Sequence, residues 1–507
     1  MKNYKVNNVF KILLLAIIMI LLSSSALIAA DIQYNILILP TASIGNNTDY
    51  NWMTIAVDKV IEFTVEHSPL FGILKEKFII NNFNLQFSTN NPYKINEGLI
   101  ANFAKAYRAH YAITSQYNYN KMSDTYEIDV KIIETKSNEI IKAFSTSGSA
   151  KEALTIANLI AEGLADYHDF KLRSVEKNFI TNNEFCMDEK ATYYWCIAYK
   201  ALHNNRVDKA LEYFNRSIVF YKQFSEAYRM VAYIRTLRGE SKAADSNFKN
   251  AINCKVTNFR VWRDYAYLYH LNKNYKIASN FYTKALDLKK IDVEIFARIG
   301  SINYELGFYD NAKTWYQRAY NVYDLNPIVL EGLAKIEAYQ SNNWETAYMY
   351  ASTLLDIESD NAEAYIIIAN YYAIKKDYKN ALNMMVDAVK NKKNYIEGHY
   401  MIGVLYSKYY QETGNIIHHE QSLKAFEYCI SKSYNIPDIY IQVARLYAMI
   451  SNGEKAAKYI DLAFKGGFMN IDAILFDKVF DNVTDDPTFN KTLTYWYNKF
   501  KGGGGNY

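Results

Sequence analysis

The sequence is poor in the residues that break helices and in those that form cross-links. Of its 507 residues only 6 are proline and 4 are cysteine, whereas 50% are hydrophobic. This composition provides enough apolar surface for large folded cores, so it excludes a disordered scaffold. The length predicts two or three domains rather than one.

The four cysteines, Cys186, Cys196, Cys254 and Cys429, show no Cys-x-x-Cys spacing. A bridge between Cys186 and Cys196 is compatible with an oxidising compartment. Cys196, Cys254 and Cys429 lie in segments with helical packing patterns, so buried free thiols are the favoured interpretation for these three.

The chain also lacks a concentrated charge of either sign and the motifs of common enzymes. Its formal net charge of +4 is spread without a long basic run, which argues against nucleic acid as the main partner. It contains no Gly-x-x-x-x-Gly-Lys-Ser/Thr, Gly-x-Gly-x-x-Gly, His-Glu-x-x-His or Gly-x-Ser-x-Gly motif. His418-His419-Glu420 is the one group of metal-ligand types, but adjacent side chains of a helix point apart. We therefore expect no enzymatic activity, no cofactor and no metal.

The long apolar run of the sequence stands at its N-terminus. Lys2, Lys5 and Lys11 precede an apolar run from Ile12, and small residues follow up to Ala30. This order is typical of a secretory signal peptide, so we expect residues 1–30 to be cleaved. An uncleaved membrane anchor is the alternative, because residues 12–30 are about long enough to span a bilayer. Either case predicts export, to the bacterial periplasm or cell envelope.

Residues 31–172 are predicted to form a small α/β domain. The apolar run Tyr34–Leu39, ended by Pro40, predicts a buried strand. The further predicted elements are helix 52–66, strand 70–74, helix 95–107, strands 112–119, 125–134 and 140–147, and helix 150–167. Short turns at Ser123-Asp124 and Ser137-Asn138 are expected to link the last three strands as hairpins.

Two motifs in this segment resemble the TolB-like N-terminal domain. Ile36-Leu37-Ile38-Leu39-Pro40 stands where that family has its opening strand, and residues 134–139 (ETKSNE) stand at its later hairpin. The sequence departs from the family pattern at Thr41, where phenylalanine is usual, and at Glu134, where aspartate is usual. The resemblance implies a domain that makes contacts in envelope-spanning assemblies and carries no catalytic residues.

A pattern of small and aromatic residues recurs every 34 residues from Tyr228 to Ala319. Its three clearest instances are Ala244, Phe248 and Ala251; Ala278, Tyr282 and Ala285; and Ala312, Tyr316 and Ala319. Twelve residues before each leading alanine stands another small residue, and an aromatic residue precedes that by four: Ala232 with Tyr228, Ala266 with Trp262, and Gly300 with Phe296. This spacing resembles the tetratricopeptide repeat, a pair of antiparallel helices. One pair cannot bury its apolar face alone, so neighbouring pairs are expected to stack.

Extended outward, the pattern predicts a mostly α-helical protein, with a tetratricopeptide-type α-solenoid of about eight helix pairs in residues 191–466. A linker helix is expected in residues 173–190 and capping helices in residues 467–501, which contain Phe476, Phe480, Phe489 and Trp496. Residues 502–507, which include four glycines, are expected to form a flexible tail.

The resemblance also implies a partner-binding groove on the concave face, formed by the first helix of each pair. The groove residues that it indicates are Trp195, Tyr199, Arg229, Tyr233, Arg260, Arg263, Tyr267, His270, Tyr304 and Tyr339, with Lys335, Asn370, Tyr400 and Arg445 further on. Because guanidinium groups form a planar fork that suits carboxylates, the arginines predict an acidic segment or a C-terminal carboxylate as ligand. The carboxylate-binding members of the family have asparagine where Tyr233 stands, and Asp264 would add a negative charge. The alternative is that the arginines pair with Glu226, Asp264 and Glu294 on a solvated face.

Together these features predict an exported protein–protein interaction scaffold that binds a protein or peptide segment and envelope assembly components. Two alternatives stay open: a self-associating structural protein of the envelope, and a periplasmic accessory protein whose groove aromatics stack on glycans.

Overall fold

The computed structural model describes residues 33–44, 52–75, 77–87, 91–172, 174, 177–178, 183–392, 394–432, 434 and 436–501. Two compact units are present, residues 1–329 and residues 330–507. The expected signal segment 1–30, residues 173, 175–176 and 179–182 of the expected linker, and the tail 502–507 lie outside the described residues. No helix among the described residues is both long and apolar enough to cross a bilayer.

The first unit opens with a mixed β-sheet. Its strands are β1 Tyr34–Ile38, β2 Ala42–Ile44, β3 Phe71–Leu74, β4 Tyr111–Asn120, β5 Thr125–Glu134 and β6 Glu139–Gly148. Their order is β3-β1-β4-β5-β6, with β1 parallel to β3 and β4, β2 also parallel to β4, and antiparallel pairing from β4 to β6. Asp124 and Asn138 turn the two hairpins with φ of 52° and 64°. Both residue types tolerate this left-handed conformation, which is why the turns were recognisable in the sequence.

Helices cover both faces of this sheet. They are α1 Trp52–Glu66, α2 Lys77–Phe87, α3 Glu97–Ala106, α4 Ala150–Ala153 and α5 Ile156–Tyr167. Alternate strand residues point to opposite faces. Ile36 and Val130 therefore pack with α1 and α5, whereas Leu37 and Ile133 pack with α2 and α3.

Three local features differ from the sequence prediction. Strand β2 and helix α2 lie in stretches for which the sequence predicted no strand or helix. The predicted helix 150–167 divides into α4 and α5. Ser149 and Glu152 form a capping box on α4, and the hydroxyl of Thr155 donates back to the Glu152 carbonyl. Such local side-chain hydrogen bonds compete with a continuous helix.

Eight helix pairs follow in the described residues, and they confirm the predicted fold class. The pairs are α6 Glu189–His203 with α7 Val207–Phe220, α8 Ser225–Leu237 with α9 Ser241–Cys254, α10 Phe259–Leu271 with α11 Tyr275–Leu288, α12 Val293–Glu305 with α13 Tyr309–Val322, α14 Pro327–Tyr339 with α15 Trp344–Ile357, α16 Ala362–Ile374 with α17 Tyr378–Asn391, α18 Ile396–Thr413 with α19 Ile416–Ser431, and α20 Pro437–Met449 with α21 Gly453–Lys465. The small positions bring the two helices of a pair together. At Gly300, a Cβ atom would lie 2.8 Å from the ring of Tyr316.

A left-handed residue turns the chain between the helices of every pair. These residues are Asn205, Gly239, Lys273, Gly307, Asn342, Lys376, Gly414 and Ser451, all with φ between 52° and 79°. Glycine adopts this conformation without steric cost, whereas lysine and serine do not. The sequence therefore indicated the turn between the helices clearly at Gly239 and Gly307, and only weakly at Lys376.

The second unit ends in α22 Asp472–Leu475, a 3-10 turn at Lys478–Val483 and α23 Pro487–Lys501. Phe480, Phe489 and Trp496 are buried in a core with α20 and α21, as a capping segment requires. Phe476, the residue that follows α22, is 82% exposed.

Candidate partner-binding groove

The three predicted arginines lie near the N-terminal ends of α8 and α10. Arg229 forms three hydrogen bonds of 2.8 to 3.0 Å with the carboxylate of Glu226, one turn before it. Its Nη1 pairs with Asp264 of the next helix pair. Asn258, which caps α10, donates to Glu226 as well. Arg229 thus has a carboxylate partner in its own helix and in the neighbouring pair.

Arg260 receives its carboxylates from the α/β domain rather than from a groove ligand. Its Nε lies 2.6 Å from Glu66 Oε2, and its Nη2 lies 3.1 Å from Glu62 Oε1. Glu62 and Glu66 are one helical turn apart on α1, so both face the same guanidinium. Lys75 binds the same two carboxylates, at 3.3 and 2.6 Å.

Arg263 completes the row of arginines. Its Nε donates to Asp264 at 3.0 Å, and its Nη1 lies 3.2 Å from Glu294 and 4.0 Å from Asp292. Arg229, Arg260 and Arg263 are all buried, together with Glu226 and Asp264. The predicted pairing with Glu226, Asp264 and Glu294 is present, but the expectation of a solvated face was wrong, because the α/β domain packs over it.

The cluster contains charged side chains of both signs. Its cationic members include Lys59, Lys75, Arg229, Arg260, Arg263, Lys289 and Arg298, and its anionic members include Glu62, Glu66, Glu226, Asp264, Asp292 and Glu294. Burial opposes ionisation of Glu66, but Arg260 and Lys75 outweigh it and hold its pKa well below the usual value. For Asp264 burial is likewise outweighed, here by Arg263 and Arg229, and its pKa is lowered.

Backbone contacts fasten the α/β domain to the loops that join successive pairs. Lys289 Nζ donates to the carbonyl oxygens of Glu66 and Phe71, at 2.6 and 3.0 Å. The amide of Gln33 donates to the Ile291 carbonyl at 3.2 Å, and that of Asn35 to the Val322 carbonyl at 3.0 Å. These contacts extend along the loops that precede α12 and follow α13.

Aromatic packing holds the first pair to α1. Trp195 is buried, with its ring against Phe185, and Phe185 packs in turn on Phe63 of α1. Tyr199 is half-buried and lies beneath the ammonium group of Lys59, 5.3 Å from its ring centroid. The structure therefore places Trp195 and Tyr199 in the contact between the α/β domain and the first helix pair.

The remaining predicted residues of the first unit form a strip along the groove beyond the arginines. Tyr233 and Tyr267 are half-buried, their rings stacked with centroids 6.5 Å apart, and the guanidinium of Arg298 lies 4.2 Å from the Tyr267 ring. His270 is buried and bonds Glu305 at 3.2 Å, while Tyr304 is half-buried next to Tyr309.

Two leucines extend this strip and were not among the predicted residues. Leu237 and Leu271 are the last residues of α8 and α10, one turn after Tyr233 and Tyr267, and they are 58% and 47% exposed. Their signal in the sequence is the same 34-residue spacing. We call Tyr233, Leu237, Tyr267, Leu271 and Tyr304 the tyrosine–leucine strip.

Tyr339 belongs to the second unit and is not part of this strip. Its hydroxyl donates to Glu363 at 3.0 Å, and its ring meets Trp344 edge-on. In the same unit Lys335 pairs with Glu331, Tyr400 with Asp438, and Arg445 with Asp477.

Sequence reasoning missed Glu62 and Glu66. Their only signal was a pair of acidic residues one turn apart on a helix that is otherwise largely apolar, and nothing local connects them to Arg260, 194 residues away from Glu66. The structure places the predicted arginines against this chain's own acidic helix.

The structure describes the two adjacent histidines and three of the four cysteines that the sequence analysis considered. His419 is buried and bonds the Leu446 carbonyl, whereas His418 stacks on Tyr409. The described residues hold no cluster of three or more metal-ligand side chains. Cys196 and Cys429 are buried free thiols and Cys254 is a half-buried one.

Among known proteins, only solved structures are similar to this chain. No family model and no curated protein matches the sequence. A tetratricopeptide repeat protein from Parabacteroides merdae ATCC 43184 is 15% identical, with a TM-score of 0.37 over 51% of this chain and 98% of that one. The pilF protein of Pseudomonas aeruginosa is 14% identical, with a TM-score of 0.33 over 51% and 95%. YrrB, described as a tetratricopeptide protein with an unusual peptide-binding site, is 18% identical, with a TM-score of 0.29 over 36% and 95%. At these TM-scores, the fold assignment rests on the helix pairs and their spacing.

Proposed function

We propose that this chain is a non-enzymatic protein–protein interaction scaffold that binds a partner segment along the tyrosine–leucine strip. The observation that supports it is the exposure of Leu237 and Leu271 beside half-buried Tyr233 and Tyr267. Aromatic residues flanked by exposed apolar side chains are typical of protein interfaces. Adjacent helices lie about 10 Å apart, which is close to the spacing of about 9 Å between residues i and i+3 on one face of a polyproline II peptide.

The segment is proposed to carry apolar side chains and to end in an acidic residue or a C-terminal carboxylate. The three predicted arginines already hold carboxylates of the chain itself. Arg298 is different, since the ion pair that it forms within the described part of the chain, with Glu294, is 3.8 Å long. Its guanidinium lies over Tyr267, where it can receive a carboxylate at the edge of the strip.

Export to the periplasm or cell envelope is part of this proposal. It rests on the charged, apolar and small-residue order of residues 1–30. Similarity of the α/β domain to the TolB-like domain stays a proposal on the two motifs at residues 36–40 and 134–139, and it would place this domain against envelope assembly components.

The test combines capture with a defined peptide. Leu237→Ser with Leu271→Ser removes the exposed leucines of the strip, while Val219→Ser with Val256→Ser changes two exposed apolar residues elsewhere in the first unit, at 72% and 58% exposure against 58% and 47% for the leucines. A partner captured from the native envelope is mapped to its bound segment, and that synthetic segment is titrated against all three proteins. We expect the strip variant to weaken binding about tenfold or more and the control variant to leave it unchanged. Equal binding by all three proteins would remove the strip as the site.

Self-association is a second candidate, favoured by strand β6. This ten-residue edge strand pairs with β5 on one side, and among the described residues no strand pairs with its other side. It contains no proline, and Ile140 is exposed on it. Long exposed edges of this kind pair readily with another strand. Sedimentation of the wild type and of Ile140→Lys decides this candidate: a dimer that the variant dissociates supports it, and a concentration-independent monomer excludes it.

A further inference from the structure

A stack of three side chains crosses the groove at the second, third and fourth helix pairs. The rings of Tyr233 and Tyr267 are stacked, 29° from parallel, with their centroids 6.5 Å apart. The guanidinium carbon of Arg298 lies 4.2 Å from the centroid of Tyr267. Two phenol rings and one guanidinium group therefore lie next to each other, one from each of the helices α8, α10 and α12.

The polar atoms of this stack are hydrogen-bond donors that have no acceptor among the described residues. Neither the hydroxyl of Tyr233 nor that of Tyr267 forms a hydrogen bond within this part of the chain. Burial raises the pKa of Tyr233 to about 12, so its hydroxyl keeps the proton that it can donate. Arg298 lies 3.8 Å from Glu294, which is too long for a hydrogen bond, and its Nε is buried without a partner. The stack therefore offers a row of donors to a ligand.

Apolar side chains lie beside this row of donors. Leu237 follows Tyr233 by four residues on α8, and Leu271 follows Tyr267 by four residues on α10. This spacing places each leucine on the same helix face as its tyrosine. Both leucines are exposed. A ligand along the strip would therefore meet two apolar surfaces next to the hydroxyl groups.

Donors flanked by apolar side chains suit a peptide whose backbone carbonyls are free. An α-helical ligand uses its carbonyls for its own hydrogen bonds, so it would leave the two hydroxyls without acceptors. An ordinary extended peptide presents an N–H donor for every carbonyl acceptor. A proline-rich segment lacks those N–H groups, and its polyproline II backbone forms no internal hydrogen bonds. Its carbonyls are therefore free to accept, and its side chains are apolar rings.

We propose that the tyrosine–leucine strip binds a proline-rich segment in the polyproline II conformation. The hydroxyls of Tyr233 and Tyr267 donate to backbone carbonyl oxygens of the segment. Leu237 and Leu271 pack against its proline rings, and Arg298 binds a carboxylate at its end. Binding of such segments by aromatic side chains costs little ordering entropy, because the backbone is already ordered before it binds. This inference rests on the proposed function, since it names the partner of the same strip.

The test uses acetylated nonaproline with a free C-terminal carboxylate, titrated by calorimetry against the full chain. In the polyproline II conformation this peptide is about 28 Å long, enough to cross three helix pairs. Nonaproline made of D-proline is the matched peptide, because it has the same composition and charge but the opposite helix hand. We expect the L-peptide to bind the wild type at least about tenfold more tightly than the D-peptide. Equal affinity of the two peptides would overturn the proposal, because the strip would then not recognise the polyproline II conformation.

A pair of variants tests the hydroxyl groups themselves. Tyr233→Phe with Tyr267→Phe removes both hydroxyls and keeps both rings. The matched control is Tyr194→Phe with Tyr213→Phe, since these half-buried tyrosines of the first helix pair are also stacked, with centroids 6.4 Å apart. We expect the strip variant to bind the L-peptide about tenfold more weakly than the wild type does, and the control variant to bind it equally. Equal binding by the two variants would overturn the proposal.

The segment mapped from a captured partner separates failure of this inference from failure of the proposed function. Suppose that Leu237→Ser with Leu271→Ser weakens binding of that segment, while nonaproline does not bind the wild type at up to about 1 mM. The strip is then a protein-binding site, and the proline-rich ligand is wrong. If the leucine variant binds the captured segment as the wild type does and nonaproline does not bind, both proposals fail.

Discussion

Replacing Arg260 with methionine should loosen the α/β domain from the helix pairs. The variant keeps the apolar part of the side chain against Phe63, whose ring centroid lies 5.3 Å from the guanidinium. It removes an arginine that contacts both Glu62 and Glu66, whose side chains are only 12% and 5% exposed. The perturbation therefore tests whether the buried ion pairs, rather than shape alone, keep the two parts together.

The expected loss of stability follows from leaving buried charges without their partner. Removal of one member of a buried ion pair costs about 3–5 kcal/mol. Lys75 still contacts both carboxylates after the change, so we expect the lower end, about 3 kcal/mol. Arg260→Met combined with Glu66→Gln should cost less than the sum of the single changes, because the double variant no longer buries an unpaired Glu66.

Hydrogen exchange read by mass spectrometry is the suitable assay, because it reports α1 and α10 separately from the second unit. Arg216→Met is the matched control: Arg216 and Glu212 form a surface pair at 2.6 Å, with side chains 52% and 53% exposed. We expect the control to change stability by less than about 1 kcal/mol. If the amide protons of α1 and α10 exchange as slowly in the Arg260→Met variant as in the Arg216→Met variant, the reasoning about buried charge is refuted.

Three further outcomes are expected from single residues. The pKa of Asp58 is raised from 3.8 to about 7, chiefly by burial. The folded state therefore holds a proton that the unfolded state loses, so stability should fall as pH rises from about 4 to 7, and Asp58→Asn should flatten that slope in urea unfolding. Gly300→Ala should cost about 1–3 kcal/mol, measured by thermal unfolding against Ala266→Ser, since its Cβ would meet Tyr316; an unchanged melting temperature would contradict the close approach. Ser451→Gly should gain up to about 1 kcal/mol by the same assay, because serine holds a φ of 54° there; a loss would show that the hydroxyl has a role of its own.

Several elements of the fold were predictable because their signals are local. The 34-residue spacing of small and aromatic residues predicted the helix pairs, since helices approach closely only at small side chains. The turns at Asp124 and Asn138 were predictable from residue type. Strand β2 and helix α2 gave no comparable signal: β2 has three residues, and α2 carries asparagines among its apolar positions.

The sequence predicted which residues lie on the first helices, but it did not predict what packs against them. Arg229, Arg260 and Arg263 do lie in one row, and Tyr233 and Tyr267 do share a face, because a regular repeat places equivalent residues side by side. Whether that face is open depends on what packs over it, and a repeat pattern contains no information on this point.

The sequence by itself determined the helix pairs, their number and the residues on the face of each first helix, because these depend on spacings within about one repeat. Only the tertiary structure decided that Glu62 and Glu66 of α1 meet Arg260, that the arginine row is buried and that Leu237 and Leu271 stay exposed beside half-buried Tyr233 and Tyr267. The physical reason is that a charged side chain is stabilised in the interior only by the opposite charge that packs against it, and here that charge comes from a helix about 200 residues earlier in the chain.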